Sequence, residues 1–458
     1  MKDNFNEKDV LSKREAGGFF VIFLGILILI SSILINPWIG KLWRANIIDF
    51  YNAMLEYFVW SSILGILILT LGLLVLKKRK KIIDNLTVLF AIISILFLSD
   101  RLLLVKFGVS LVVIDPKTLY RYRPNAVRRW GSGHPNPDKI IRINKYGFHD
   151  DNFPIKKPVD ELRGITVGNS ITMGFGIISS ETYSNQLENL LERYDKKYNS
   201  YQIINAGVQG YSIYQEYQML KESMKFKPDF VTIGFCMNDV YSTPVMNRLL
   251  GKKEIEEYGI MKTTNPILSY LLNETGYGRL FIMLRREIKL KKSQKIREEL
   301  TKEYYSWLTY SKKGANIEEA WGNVLSDLEE FYKFTKKNNL QCILLIFPDF
   351  YQLFNKKVQR PQKVLIEHAE KYNVDFIDFT KVFESFISKN IKDIVSYEKK
   401  ETTEDEVQKL YSEELEKYFI DGQHPSPEGH KIIALKLLEY LHNKGLIKLI
   451  IKGGKKSG

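Results

Sequence analysis

A serine hydroxyl attacks an acyl carbon only when a base takes its proton, and the base works best when a carboxylate fixes its tautomer. Three residues of this chain meet that requirement by type and setting. Ser170 stands in Gly168-Asn169-Ser170-Ile171-Thr172-Met173-Gly174, directly after a short apolar run, which puts it on a tight turn where a strand ends. His424 stands in Asp421-Gly422-Gln423-His424-Pro425, three residues after a carboxylate on the same loop. Ser426 and Pro427 then offer an N-cap and first-turn pair for a closing helix. Each residue alone has a plainer reading, Ser170 as a helix cap and His424 as a helix-entry histidine bonded to backbone. The plain readings lose ground together, because each residue supplies what the other needs.

Charge that develops on a reacting carbonyl oxygen needs preorganised donors. Two segments stand where such donors belong, each directly after an apolar run. They are Asn205-Ala206-Gly207-Val208-Gln209-Gly210-Tyr211-Ser212, where glycine lets a backbone N–H come close, and Met237-Asn238-Asp239, which offers a side-chain amide. Other chemistries lack their residues. No Gly-Lys-Ser/Thr follows the serine turn as in a P-loop, Gly174-Phe175-Gly176 lacks the third glycine of a dinucleotide fingerprint, and Thr172 occupies the last glycine position of a Gly-x-Ser-x-Gly elbow. With only Cys236 and Cys342 and no metal-ligand spacing, two buried thiols are expected rather than a disulfide, and neither metal nor cofactor is expected. The net charge of +14 is spread along the chain among 53 acids, so nucleic acid is not an expected partner, whereas an anionic membrane surface suits that balance.

The elements that must position these residues lie in a region of βαβ rhythm. Apolar runs at 164–167, 202–204, 230–236, 342–347 and 374–377 alternate with amphipathic stretches near 181–194, 213–225, 319–337 and 361–371. That alternation predicts an α/β fold with a parallel sheet covered by helices on both faces, whose ligands bind at the carboxyl ends of the strands. The serine turn and both donor segments follow strands. A segment at about 240–313 breaks the rhythm and is too long for an ordinary connection. Within it, 279–297 carries eight basic residues against Glu287, with Leu280, Met283, Leu284 and Ile288 on offer for one helical face. A cap over the site, a helix lying on a membrane and a helix packed on the domain all remain open for it.

Before position 110 the composition changes. Spans are predicted at about 18–36, 57–76 and 85–105; the third reaches spanning length only by running through Asp100 and Arg101 to Val105. A cleaved signal peptide has a shorter apolar core and a small-residue cleavage site, which the first span lacks. Four basic residues precede the first span (Lys2, Lys8, Lys13, Arg14), two follow it (Lys41, Arg44), and five lie at 77–81. The bias puts the N-terminus and the 77–81 cluster in the cytoplasm, and with three spans everything after about residue 106 lies outside it. If the third segment does not cross, the large domain is cytoplasmic. The expected organisation is a membrane region at 1–106, a junction at 107–160, a catalytic domain at 161–445 with an insertion at about 240–313, and a basic tail at 446–458.

The four blocks, in the chain order Ser, Gly, Asn, His, resemble those of the SGNH (GDSL-like) hydrolase superfamily. The likeness runs from about residue 144 to 441, and Asn144-Lys145-Tyr146-Gly147-Phe148-His149 is similar to the lead-in of membrane-associated members. It implies a three-layer, flavodoxin-like domain in which Ser170 is the nucleophile and Asp421 and His424 complete the triad. It also implies an oxyanion hole formed by the Ser170 N–H, Gly210 and Asn238. Asn169 stands where the family usually has Asp, and Cys236 where the third block usually has Gly. The implied chemistry is ester hydrolysis through an acyl-enzyme on a glycan or lipid of the cell envelope. Two alternatives stay open, an O-acyltransferase acting on polysaccharide and an inactive membrane-tethered binding protein.

Overall fold

The protein is described by a computed structural model. It describes residues 13–35, 48–77, 81–108, 110–130, 136, 138–240, 255–257, 260–292, 315–349, 352–353, 356–398 and 413–449. The basic tail beyond 449 and much of the predicted insertion lie outside these residues.

In chain order, three long helices come first: α1 (Lys13–Leu34), α2 (Ile48–Lys77) and α3 (Lys81–Phe107). Two short antiparallel hairpins follow, β1 (Val112–Asp115) with β2 (Leu119–Tyr122) and β3 (Val127–Arg129) with β4 (Ile140–Arg142). Then come β5 (Glu161–Gly168), the one-turn helix α4 (Ser170–Met173), α5 (Tyr183–Tyr194), β6 (Ser200–Asn205), α6 (Ile213–Ser223) and β7 (Phe230–Phe235). The insertion supplies the hairpin β8 (Ile255–Glu257) and β9 (Ile260–Lys262), with helices α7 (Pro266–Glu274) and α8 (Gly276–Lys292). The chain returns through α9 (Ala315–Lys337), β10 (Gln341–Ile346), α10 (Arg360–Lys371), β11 (Asp375–Asp378), α11 (Phe379–Glu398) and α12 (Pro427–Asn443).

These elements form two compact units. One comprises 1–111 with 253–291, the other 112–252 with 292–458.

In the first unit, the three helices contain windows of 18 to 21 residues long and apolar enough to cross a membrane, at Gly17–Leu34, Met54–Leu74 and Leu86–Lys106. Their outward residues, among them Phe19, Phe23, Ile66, Leu89 and Ile93, are exposed and apolar. Water is a poor solvent for such a surface and lipid a good one. Helices α1 and α2 approach closely at Gly25, where an added Cβ meets the Leu69 backbone nitrogen at 2.8 Å. Small residues permit this kind of backbone packing between apolar helices.

In the second unit, five strands form one sheet in the order β11-β10-β7-β5-β6, every neighbour parallel. Numbered along the sheet strands alone, that is the doubly wound 2-1-3-4-5 order of flavodoxin-like folds, with its switch point between β5 and β7. Residues of β5 and β7 are buried throughout, as a central strand covered on both faces requires. The core on one side gathers Leu187, Leu191, Ile343, Leu345, Phe347, Phe379, Phe383 and the inner face of α12. Each fully buried side chain of this kind contributes about 1.5–3 kcal/mol. The predicted strands and helices stand within a few residues of their observed limits. The hairpins between 112 and 142 were not anticipated in the junction.

Candidate active site

Ser170 and Asn238 follow the two strands that flank the switch point, so the serine turn and the third block meet at the sheet's carboxyl edge. Ser170 opens α4, and the Asn169 side chain caps that turn by accepting from the Ile171 N–H at 3.3 Å. The loop after β6 passes over α4 so closely that a Cβ on Gly207 meets the Met173 nitrogen at 2.4 Å. Gly210 sits in the next turn at φ +76°, a conformation that disfavours any side chain.

His424 arrives from the far end of the sequence. The loop 420–424 closes on itself, with the Ile420 N–H donating to the His424 carbonyl at 2.8 Å. Asp421 Oδ1 accepts from the backbone N–H groups of Gln423 and His424, each at 2.8 Å. Gln423 donates to Asp349, beyond the end of β10, at 3.1 Å, and Ser426 caps α12 with Pro427 in its first turn. Held this way, His424 Nε2 lies 2.8 Å from Ser170 Oγ, and Nδ1 lies 2.8 Å from Asp421 Oδ2. Burial raises the Asp421 pKa, but the His424 hydrogen bond and charge, with the two backbone donors, outweigh it and bring it down to about 2. A carboxylate at that position makes Nδ1 the protonated nitrogen and leaves Nε2 to accept from the serine hydroxyl.

Asn238 is turned by two contacts on its amide oxygen, Asn169 Nδ2 at 2.9 Å and Cys236 Sγ at 2.7 Å. Beneath them Asp239, fully buried, accepts from the Cys236 N–H at 2.9 Å and from Asn169 at 3.1 Å. Burial pushes the Asp239 carboxyl up, against the lowering by the Cys236 N–H and the Asn169 amide. The thiols of Cys236 and Cys342 are free and buried, as their apolar settings led one to expect.

One neighbour of the site was not singled out in the sequence. Phe175 packs against the His424 ring with centroids 4.5 Å apart, and Trp130 meets Phe175 edge-on at 4.9 Å. Phe175 lies between the two glycines of 174–176, a run read above only for its glycines. Aromatic residues beside the turn that carries Ser170 were the available signal.

Among the described residues no group of three or more His, Cys, Asp or Glu has metal-holding geometry. A flavodoxin-like sheet with a serine, an imidazole and a carboxylate in hydrogen-bonded line at its carboxyl edge has the architecture of a serine hydrolase. The chain matches the model of the GDSL-like Lipase/Acylhydrolase family over residues 166–432. It belongs to that family, and it is an ester-hydrolysing serine enzyme of the SGNH superfamily. Among solved structures it is similar to the acetylxylan esterase Axe2 from Geobacillus stearothermophilus, with 15% identity over 61% of this chain and 93% of that one and a TM-score of 0.35. It is also similar to a protein described as lipolytic, of the G-D-S-L family, from Desulfitobacterium hafniense DCB-2, with 12% identity over 60% and 98% of the two chains and a TM-score of 0.31. No curated protein sequence matches it.

Proposed function

We propose that the protein is a membrane-anchored serine esterase that removes an acyl group from a glycan or lipid of the cell envelope, with Ser170, His424 and Asp421 as its triad. The observation that carries this reading is the unbroken line from Ser170 Oγ through His424 Nε2 and Nδ1 to Asp421, with 2.8 Å at both joints. Ser170 Oγ attacks the ester carbonyl while His424 Nε2 takes its proton, and Asp421 stabilises the imidazolium that forms. The oxyanion is received by the Ser170 N–H, the Gly210 N–H and the Asn238 amide, whose oxygen is already engaged by Asn169 and Cys236. Collapse expels the alcohol, protonated by His424, and leaves an acyl-serine. Water, deprotonated by the same imidazole, then releases the acid.

Helices α1 to α3 are the anchor in this reading, with the N-terminus in the cytoplasm and the catalytic domain outside it. Reporter fusions after residues 48, 80 and 110 test that topology; a cytoplasmic signal at 110 rejects it.

The activity is tested by fluorophosphonate labelling and p-nitrophenyl acetate hydrolysis with the detergent-purified chain, beside Ser170→Ala and His424→Ala. Labelling and turnover are expected in the parent and lost in both variants. A folded parent that neither labels nor hydrolyses returns the weight to a tethered binding protein.

A further inference from the structure

The insertion does more than interrupt the sheet rhythm, because its helices α7 and α8 share a compact unit with α1 to α3. The join is made at Asp100. This carboxylate is buried and lies within the apolar window of α3, six residues before its Lys106 end, or roughly 9 Å along the helix. The first turn of α8 meets it there. The Tyr277 N–H donates to Asp100 Oδ1 at 3.0 Å, the Tyr277 hydroxyl pairs with Ser99 Oγ, and Arg101 donates to Asp100 Oδ2 at 2.8 Å. Gly276 abuts the α3 backbone so tightly that an added Cβ falls 2.0 Å from the Asp100 carbonyl oxygen.

A carboxylate at that depth in an apolar span needs partners, and here the open N-terminal end of another helix supplies one. The same contact fixes the start of α8, and with it the α7–α8 junction, at the level of Asp100 near the end of the span. On α8 the outward positions Tyr277, Phe281, Leu284 and Ile288 recur at 4-3-4 spacing, and Leu284 and Ile288 are 56% and 60% exposed. On α7, Ile267 is 71% exposed, with Leu268, Tyr270 and Leu271 also open. These faces lie in the same unit as the exposed Leu96, Phe97 and Leu102 of α3. Arg285 and Arg286 stand on α8 between the apolar positions, and Lys289, Lys291 and Lys292 follow in its sequence. An apolar stripe combined with basic residues suits the boundary between acyl chains and anionic headgroups.

We propose that α7 and α8 form an interfacial membrane element, which seats its apolar stripe in the leaflet at the C-terminal end of α3 and caps Asp100 within the span. It rests on the reading of α1 to α3 as membrane spans, and one control separates the two. Nitroxide labels are placed on Leu268→Cys, Leu284→Cys and Ile288→Cys in the full chain, reconstituted in phosphatidylcholine–phosphatidylglycerol vesicles. Their collision rates with oxygen and with a water-soluble nickel complex are then compared. Cys236 and Cys342 are buried, and the unsubstituted chain gives their background. Leu89→Cys, on the outward face of α3, is the bilayer reference, and Val159→Cys, 86% exposed in the catalytic unit, is the aqueous one. The expected result is oxygen-dominated collision at 268, 284 and 288, severalfold above the ratio at 159. Nickel accessibility at these sites equal to that at 159 overturns the proposal, as does a label shielded from both reagents, which reveals a protein cover instead. An aqueous reading at Leu89 itself brings down the spanning reading first.

Discussion

Asn169 donates its side-chain amide to Cys236 Sγ at 2.7 Å, so the two positions at which this chain departs from the usual family pattern touch each other. The same amide nitrogen faces Asn238 Oδ1 at 2.9 Å and Asp239 Oδ1 at 3.1 Å. A carboxylate at 169 would present oxygen to those oxygens. Asn169→Asp alone is therefore expected to lower both thermal stability and kcat. Its cost should change when Cys236→Gly is added, with a coupling of about 0.5–3 kcal/mol in a double-mutant cycle on melting of the purified protein. Strict additivity would show that the contact carries no energy.

Asp421→Asn keeps the loop's size but removes the charge that sets the His424 tautomer. We expect kcat for p-nitrophenyl acetate to fall by about 10² to 10⁴ with KM little changed. A loss confined to KM would place Asp421 in substrate binding instead.

Asn238→Ala removes the proposed side-chain donor to the oxyanion while leaving Ser170 and His424 in contact. A fall in kcat of about 10² to 10³ is expected, with fluorophosphonate labelling slowed rather than abolished. Unchanged kcat would strike Asn238 from the oxyanion hole.

Gly207→Ala tests the packing that holds the serine turn. Its Cβ would stand 2.4 Å from the Met173 nitrogen and 2.8 Å from the Thr172 carbonyl carbon, both backbone atoms that cannot swing aside. A loss of about 1–3 kcal/mol is expected, read as a lowered melting temperature. An unaltered melting temperature would show that the loop shifts freely.

Burial pushes the Asp150 carboxyl up to about 7 and that of Glu188 up to about 8, against 3.8 and 4.5 for the free side chains. Between those limits the folded chain holds protons that the unfolded chain has released, so these groups make stability fall as pH rises from about 4 to 8. Glu188 Oε2 accepts from the Ile203 N–H at 2.6 Å and from Gln202 at 2.9 Å, and a glutamine oxygen can take both bonds. Glu188→Gln should therefore flatten the decline of melting temperature between pH 5 and 8. A slope as steep as the parent's would mean that Glu188 is ionised in the folded protein.

Much of the fold and site was legible because it is written in local pattern. Short continuous apolar runs marked β5, β6, β7, β10 and β11, amphipathic stretches marked the helices between them, and Ser170, Asn238 and His424 stood beside strand or helix ends where turn residues announced them. What stayed hidden depends on distant packing. Strands β1 to β4, three or four residues each, are too short for a periodic signal. Asp150 is buried and Glu188 half-buried where each accepts a hydrogen bond from a β6 N–H, and no spacing reveals that meeting. Asp100 stood in the sequence as one of two charges through which the third span must run, and its hydrogen-bond donor on α8 lies 177 positions away.

The imidazole and its carboxylate share one short turn, whereas the serine lies 254 positions earlier in the chain. Any excursion of the loop 420–424 thus carries His424 and Asp421 as one piece, and severs the hydrogen bond at Ser170 together with that from Gln423 to Asp349. In the proposed triad such an excursion leaves the serine without its base, while the imidazole keeps the carboxylate that orients it.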